Sequence, residues 1–164
     1  MRHRIRAAAL ITEGNSILLV KEVQDGREWW VPPGGGVEGD EDIYECARRE
    51  TLEETGLDVT LRRQVVYIRE FIERATDTHH IELFLAAERV QGKLIVGSND
   101  DEGPYSHFIQ DVRYVPRSQL GQITVYPAAL LDGFWDDLAA GFPSTRNLGL
   151  EMDDHVPGDI SVGL

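Results

Sequence analysis

Apolar positions along the chain follow two different periods, and each change of period marks a change of element. Residues 4–12 and 16–23 are leucine-rich and β-branched runs on either side of Glu13-Gly14-Asn15. That spacing predicts a hairpin belonging to the central sheet. Residues 24–28 form a polar turn, and Trp29-Trp30-Val31 then leads into Pro32-Pro33 and three glycines. Neighbouring tryptophans on an extended segment point to opposite faces, so one belongs to the core and the other is a candidate ligand wall. Residues 58–73 alternate loosely and are rich in Val, Ile, Tyr and Phe; residues 80–90 return as their partner strand after a turn at 74–78. His79 and His80 at that strand's start are expected to be hairpin-edge surface residues. Residues 91–106 read as an acidic, glycine-containing loop, and residues 111–116 as a short strand ended by Pro116. From Pro127, the stripe of Ala129, Leu130, Phe134, Trp135 and Leu138 fits one amphipathic helix that stops at Gly141. Residues 142–164 show no sustained period, which predicts a domain over 1–141 followed by a peripheral tail.

Between the two halves of this pattern lies the segment GGGVEGDEDIYECARRETLEETGL. Asp40 is a good N-cap, Glu41 and Asp42 put negative charge in the first turn, and Gly56 suits a left-handed C-terminal residue, so a helix is predicted over 41–55. At roughly 100° per residue, Ile43, Cys46 and Ala47 share one face. Glu50, Glu53 and Glu54 continue that face, so the carboxylates aim toward the body of the protein. Two like charges about 4 Å apart repel by roughly 1 kcal/mol in water and about 4 kcal/mol at an effective dielectric near 20. Arg49 alone does not neutralise three inward acids. A hard divalent cation with oxygen ligands does, and Mg²⁺ or Mn²⁺ suits such a site.

Composition narrows the function classes. A chain of 164 residues is long enough for one domain with its own core. Its formal net charge of −13 opposes binding to a phosphate backbone, so long nucleic acids are disfavoured as partners and small phosphorylated ligands are not. Cys46 is the only cysteine, which excludes an intrachain disulfide and makes a reduced, cytoplasmic setting the expectation. The basic start of the chain precedes an apolar run too short for a secretory leader, and no stretch is long enough to span a bilayer as a helix.

The spacing from Gly35 through Glu41, Arg49-Glu50 and Glu53-Glu54 to Gly56-Leu57 resembles the Nudix box, Gx5Ex7REUxEExGU, where U is a bulky aliphatic residue. Every fixed position is met, and Thr51 stands at one U position. The resemblance implies a Nudix-like α/β/α sandwich with a mixed central sheet. It further implies metal-dependent hydrolysis of a nucleoside diphosphate linked to another moiety. Carried over by position, Glu50, Glu53, Glu54 and the Gly35 carbonyl would hold Mg²⁺, with Glu41 and Arg49 supporting them. An acid downstream often completes such a site, and Glu102 is the first candidate here, Asp111 the second. For the base, Trp30 or Trp29, Tyr67, Phe71 and Tyr105 are the candidate contacts, and for the phosphates Arg69, Arg74 or Arg113. Position 72, sixteen after Gly56, is Ile72, and neither Pro nor Tyr follows before His80, which weakens the ADP-ribose and dinucleoside polyphosphate signatures. A non-hydrolytic nucleotide sensor is the alternative, and the intact glutamates argue against it. An RNA-cap hydrolase is disfavoured by the net charge. Homodimers are common among proteins of this resemblance, and the sequence leaves the oligomeric state open.

Overall fold

The computed structural model describes residues 1–98 and 108–153. Among these residues, nine strands and two α-helices follow in the order β1 (Arg2–Leu10), β2 (Thr12–Glu13), β3 (Ser16–Gln24), β4 (Arg27–Val31), β5 (Gly34–Gly36), α1 (Ile43–Thr55), β6 (Leu57–Glu73), β7 (Thr78–Gly92), β8 (Phe108–Pro116), α2 (Phe134–Ala139) and β9 (Arg146–Asp153). A five-stranded mixed sheet has the order β5-β1-β7-β6-β9, with β1 parallel to β7 and β9 parallel to β6. A second, antiparallel sheet joins β2, β3 and β4, with β8 on the other edge of β3.

Both sheets divide their side chains between the same two cores. Ala7, Ala9, Leu18 and Val20 pack with Cys46 and Ala47 of α1. Ala8, Leu10, Ile17 and Leu19 pack with Phe134 and Trp135 of α2 on the opposite side. This is the period-2 alternation of a strand buried on both faces. It yields the expected layers, helix on either side of mixed sheet.

The hairpin expected from residues 4–23 forms only between β2 and β3. Upstream of Ile11 the chain crosses into the other sheet, where β1 is flanked by β5 and β7. The physical reason is its composition, because the run Ala7-Ala8-Ala9-Leu10-Ile11 is apolar on both faces and fits a central position. The helix begins two residues later than predicted. Asp42, not Asp40, is the N-cap: it accepts from the Glu45 N–H at 2.8 Å, while the Glu45 carboxylate accepts from the Asp42 N–H at 2.9 Å. The expected helix from Pro127 is broken. A 3₁₀ turn spans Ala128–Leu130, and α2 starts only after Gly133, whose φ of 90° no helix accommodates. Within the segment expected as a peripheral tail, Phe142 is buried and β9 adds an outer strand beside β6.

Candidate active site

Helix α1 turns a carboxylate face inward. Glu50 is 2% exposed and Glu54 is fully buried, directly beneath the glycine strand β5. One Glu54 oxygen accepts from the Gly34 N–H at 2.8 Å, and the other, Oε2, has no hydrogen-bond partner among the described residues. Burial pushes the Glu54 carboxyl well above the usual range, and the charges of Glu22 and Glu50 push it further. Glu50 lies so close to Gly35 that a Cβ there would overlap its carboxylate. The Gly35 carbonyl accepts a weak bond from the Cys46 thiol at 3.5 Å.

Arg49 organises the rim of the cluster. Its Nη2 donates to Glu41 at 2.6 Å and to the Gly36 carbonyl at 3.2 Å; its Nη1 donates to Glu50 at 3.0 Å and lies 3.3 Å from Glu53. That hydrogen bond holds the Glu41 carboxyl below its usual pKa. Thr51, at the aliphatic box position, keeps its hydroxyl satisfied inside the helix by donating to the Ala47 carbonyl at 2.7 Å. Among the described residues no three acidic, imidazole or thiol groups converge on one point; Arg49 stands between Glu50 and Glu53. The donor set is nonetheless oxygen-only, densely anionic and buried, with one orphaned carboxylate oxygen. It fits a hard divalent cation.

Glu22 escaped the sequence reading. It sits on β3, is 5% exposed, raises the Glu54 pKa and accepts from the Trp29 Nε1–H at 3.0 Å.

Beside this cluster a cavity of about 170 Å³ opens between the two sheets, with Glu22 in its wall. Trp29, Phe71 and Tyr126 supply aromatic faces. Half-buried Arg6 and buried Arg69 both bind Glu82, at 3.0 and 3.2 Å, and Arg69 reaches on to Glu151 at 3.0 Å. The Arg69 guanidinium also lies over the rings of Phe71 and Tyr126, at 4.7 and 5.4 Å.

Of the sequence-predicted contacts, the cavity gathers Trp29, Phe71 and Arg69. Trp30 is instead a core residue, 4% exposed, with Arg113 and Lys21 over its ring at 4.7 and 5.9 Å. Pairing of β3 with β4 puts Trp29 opposite Glu22 and Trp30 opposite Lys21, and this register decides which tryptophan faces the cavity. Tyr67 is also in the core, donating to Asp137 at 2.6 Å, away from the cavity. Asp111 on β8 accepts from the Val112 N–H and lies 3.7 Å from Arg113. Glu102 and Tyr105 lie outside the described residues. His80, expected at the surface, is buried: it stacks on Phe71 at 4.3 Å and its Nε2 is 3.0 Å from Glu73.

Residues 1–132 match the family model described as NUDIX domain. The m7GpppN-mRNA hydrolase NUDT17 of Danio rerio is 40% identical over 60 residues, which are 34% of this chain and 20% of that protein, so the matched stretch is a fifth of the curated relative's length. The solution structure of the E. coli ORF135 protein superposes with a TM-score of 0.64 at 24% identity, covering 85% of this chain and 94% of the other. The crystal structure of the MutT NUDIX hydrolase from Burkholderia pseudomallei gives a TM-score of 0.64 at 23% identity, covering 80% and 98%.

Proposed function

This chain belongs to the NUDIX domain family, and we propose that it is a divalent-metal-dependent pyrophosphohydrolase, cleaving a nucleoside diphosphate linked to another moiety by water attack at phosphorus. The observation that carries the reading is the buried pair Glu50 and Glu54 beneath β5, with one Glu54 oxygen left without a hydrogen-bond partner. Carboxylates buried this close together are stabilised in their ionised form by a bound cation. Glu50, Glu53, Glu54 and the Gly35 carbonyl would hold Mg²⁺ or Mn²⁺, which supplies charge neutralisation at the phosphates and a more acidic water.

The remaining work belongs to the chain's own groups. Arg49, fixed by Glu41, keeps Glu50 and Glu53 in place and offsets their repulsion. Gly34 holds Glu54 by its N–H, and the missing side chain at Gly35 leaves room for the Glu50 carboxylate. The adjoining cavity, with its aromatic faces, takes the nucleoside part of the substrate. A small nucleotide is favoured over a long nucleic acid by the net charge of −13, although the zebrafish relative is named for capped mRNA.

The test is hydrolysis of a panel of nucleotide sugars, ADP-ribose, dinucleoside polyphosphates and nucleoside triphosphates with Mg²⁺, followed by phosphate release with and without added phosphatase. Glu53→Gln is expected to lower turnover by at least about 10²-fold. Normal turnover of Glu53→Gln sinks the assignment of the box. Silence across the panel, with thermal stabilisation by a nucleotide, would replace the hydrolase with a binding module.

A further inference from the structure

The cavity has a wall that the NUDIX match does not reach. The matched span ends at residue 132, whereas β9 runs from Arg146 to Asp153. Parallel pairing with β6 sets Glu151 beside Phe71 and Asp153 beside Glu73, so two acids of β9 line the cavity together with their β6 neighbours. Asp153 lies 3.5 Å from Arg27 of β4, which spans the opening from one sheet to the other. We infer that β9 is a nucleobase-reading wall, in which Glu151 and Asp153 accept hydrogen bonds from the exocyclic amine of a base held among Trp29, Phe71 and Tyr126. This rests on the reading of the cavity as the seat of the substrate's nucleoside.

Charge excludes the other occupant. The cavity's four arginines are outnumbered by five carboxylates, and Arg6 and Arg69 already share Glu82 and Glu151. A phosphate chain at the β9 end would meet net repulsion. A neutral planar ring meets aromatic faces, a guanidinium plane and acceptors instead. Arg69 adds a second requirement: it is 7% exposed, it lines the cavity, and its Nε–H is buried without a hydrogen-bond partner among the described residues. The complementary edge therefore carries an amine donor next to an acceptor, as adenine, guanine and cytosine do. Uracil and hypoxanthine lack the amine.

Nucleoside monophosphates test this without any cleavable anhydride. Affinities for AMP against IMP, GMP against IMP and CMP against UMP are measured by titration calorimetry with Mg²⁺, using the full chain and the double variant Glu151→Gln/Asp153→Asn, which preserves side-chain shape. The full chain is expected to favour at least one amine-bearing member by about tenfold, the worth of one hydrogen bond to a charged acceptor. The double variant is expected to bind both members of that pair within about threefold, with a melting profile that stays cooperative. No discrimination by the full chain, or undiminished discrimination by the variant, overturns the inference. If the double variant fails to fold, the single variants Glu151→Gln and Asp153→Asn decide: at least one must narrow the discrimination, and constancy in both overturns it. Cleavage of the full substrate panel assayed beside it separates the two readings. Base discrimination without cleavage removes the hydrolase and keeps the wall; cleavage without discrimination removes only the wall.

Discussion

Gly35→Ala separates the catalytic claim from general stability. Gly35 sits in β5 and is not among the glycines of positive φ, so alanine adds no left-handed backbone strain. The added Cβ would overlap the Glu50 carboxylate, at distances that ordinary van der Waals contact forbids. To restore contact near 3.5 Å the carboxylate must retreat by roughly 1 Å. Because the atoms displaced are the far end of a side chain, the fold yields at modest cost, about 1–3 kcal/mol for overpacking. The chemistry does not yield so easily: a displacement of about 1 Å at a catalytic group costs on the order of 10²-fold in rate, or about 2.7 kcal/mol of barrier. Thermal melting, kcat and the Mg²⁺ concentration for half-maximal rate are measured together. The expected result is a folded protein with kcat lowered about 10²-fold and a weakened metal response. Gly36→Ala is the comparison, because its Cβ would meet the Arg4 guanidinium in the cavity wall and its effect is expected in KM. A Gly35→Ala protein with unaltered kcat and metal response refutes the placement of Glu50 in the machinery.

Two further expectations come from buried groups. Burial opposes ionisation of Glu82, but Arg6 and Arg69 outweigh it and hold its pKa below the ordinary 4.5. Glu82→Gln takes from Arg6 and Arg69 the buried carboxylate they share, leaving Arg69 its bond to Glu151, and is expected to cost about 1.5–3 kcal/mol, read as a lower Tm. Since the folded value is depressed, that stability is fully present above the unfolded value near 4.5 and vanishes as pH falls through the folded one. The Tm gap between Glu82→Gln and the unmodified chain should thus be widest at neutral pH and close in acid; a gap independent of pH contradicts the ion-pair account. Burial, aided by the charge of Glu41, pushes the Cys46 thiol up to about 12, so a thiol-disulfide exchange reagent at pH 8 should label it only after denaturation. Stoichiometric labelling of the native chain at the rate of an exposed thiol would disprove that burial.

What was legible in the sequence was local. The carboxylate stripe, Arg49 and the glycine turn are held within one helix and the strand before it, where spacing translates directly into a shared face. Glu22, His80 and β9 became visible only through pairing between distant segments. The adjacent tryptophans mark the boundary between the two kinds of information. Period-2 alternation announces that they part company, but the direction of each is set by the register against β3, and a shift of one residue would exchange them. Likewise, the aperiodic stretch after 141 gives little local signal for β9, whose residues find their place through parallel pairing with β6. The helix beyond Pro127 failed for a different reason: its apolar stripe was read correctly, but Gly133 takes a backbone conformation that separates Leu130 from Phe134 while leaving both buried.

The two halves of the site are physically joined, which constrains how a substrate can lie in it. Glu22 acts on both sides: its charge raises the Glu54 pKa, and its carboxylate accepts from Trp29 on the cavity wall. Arg6 does the same with opposite sign, since it binds Glu82 in the cavity and its charge lowers the Glu54 pKa. A ligand that brought its own negative charge to this junction without a cation would meet Glu22, Glu50 and Glu54 against Arg6 and Arg49. A ligand that arrived with a divalent cation would relieve all three. On the proposed reading, the junction that penalises a bare phosphate rewards a metal-bound one, and the substrate would lie with its phosphates at the helix and its neutral ring toward β9. Reversing that order would set phosphates against Glu151 and Asp153 and leave the buried carboxylates beneath β5 uncompensated.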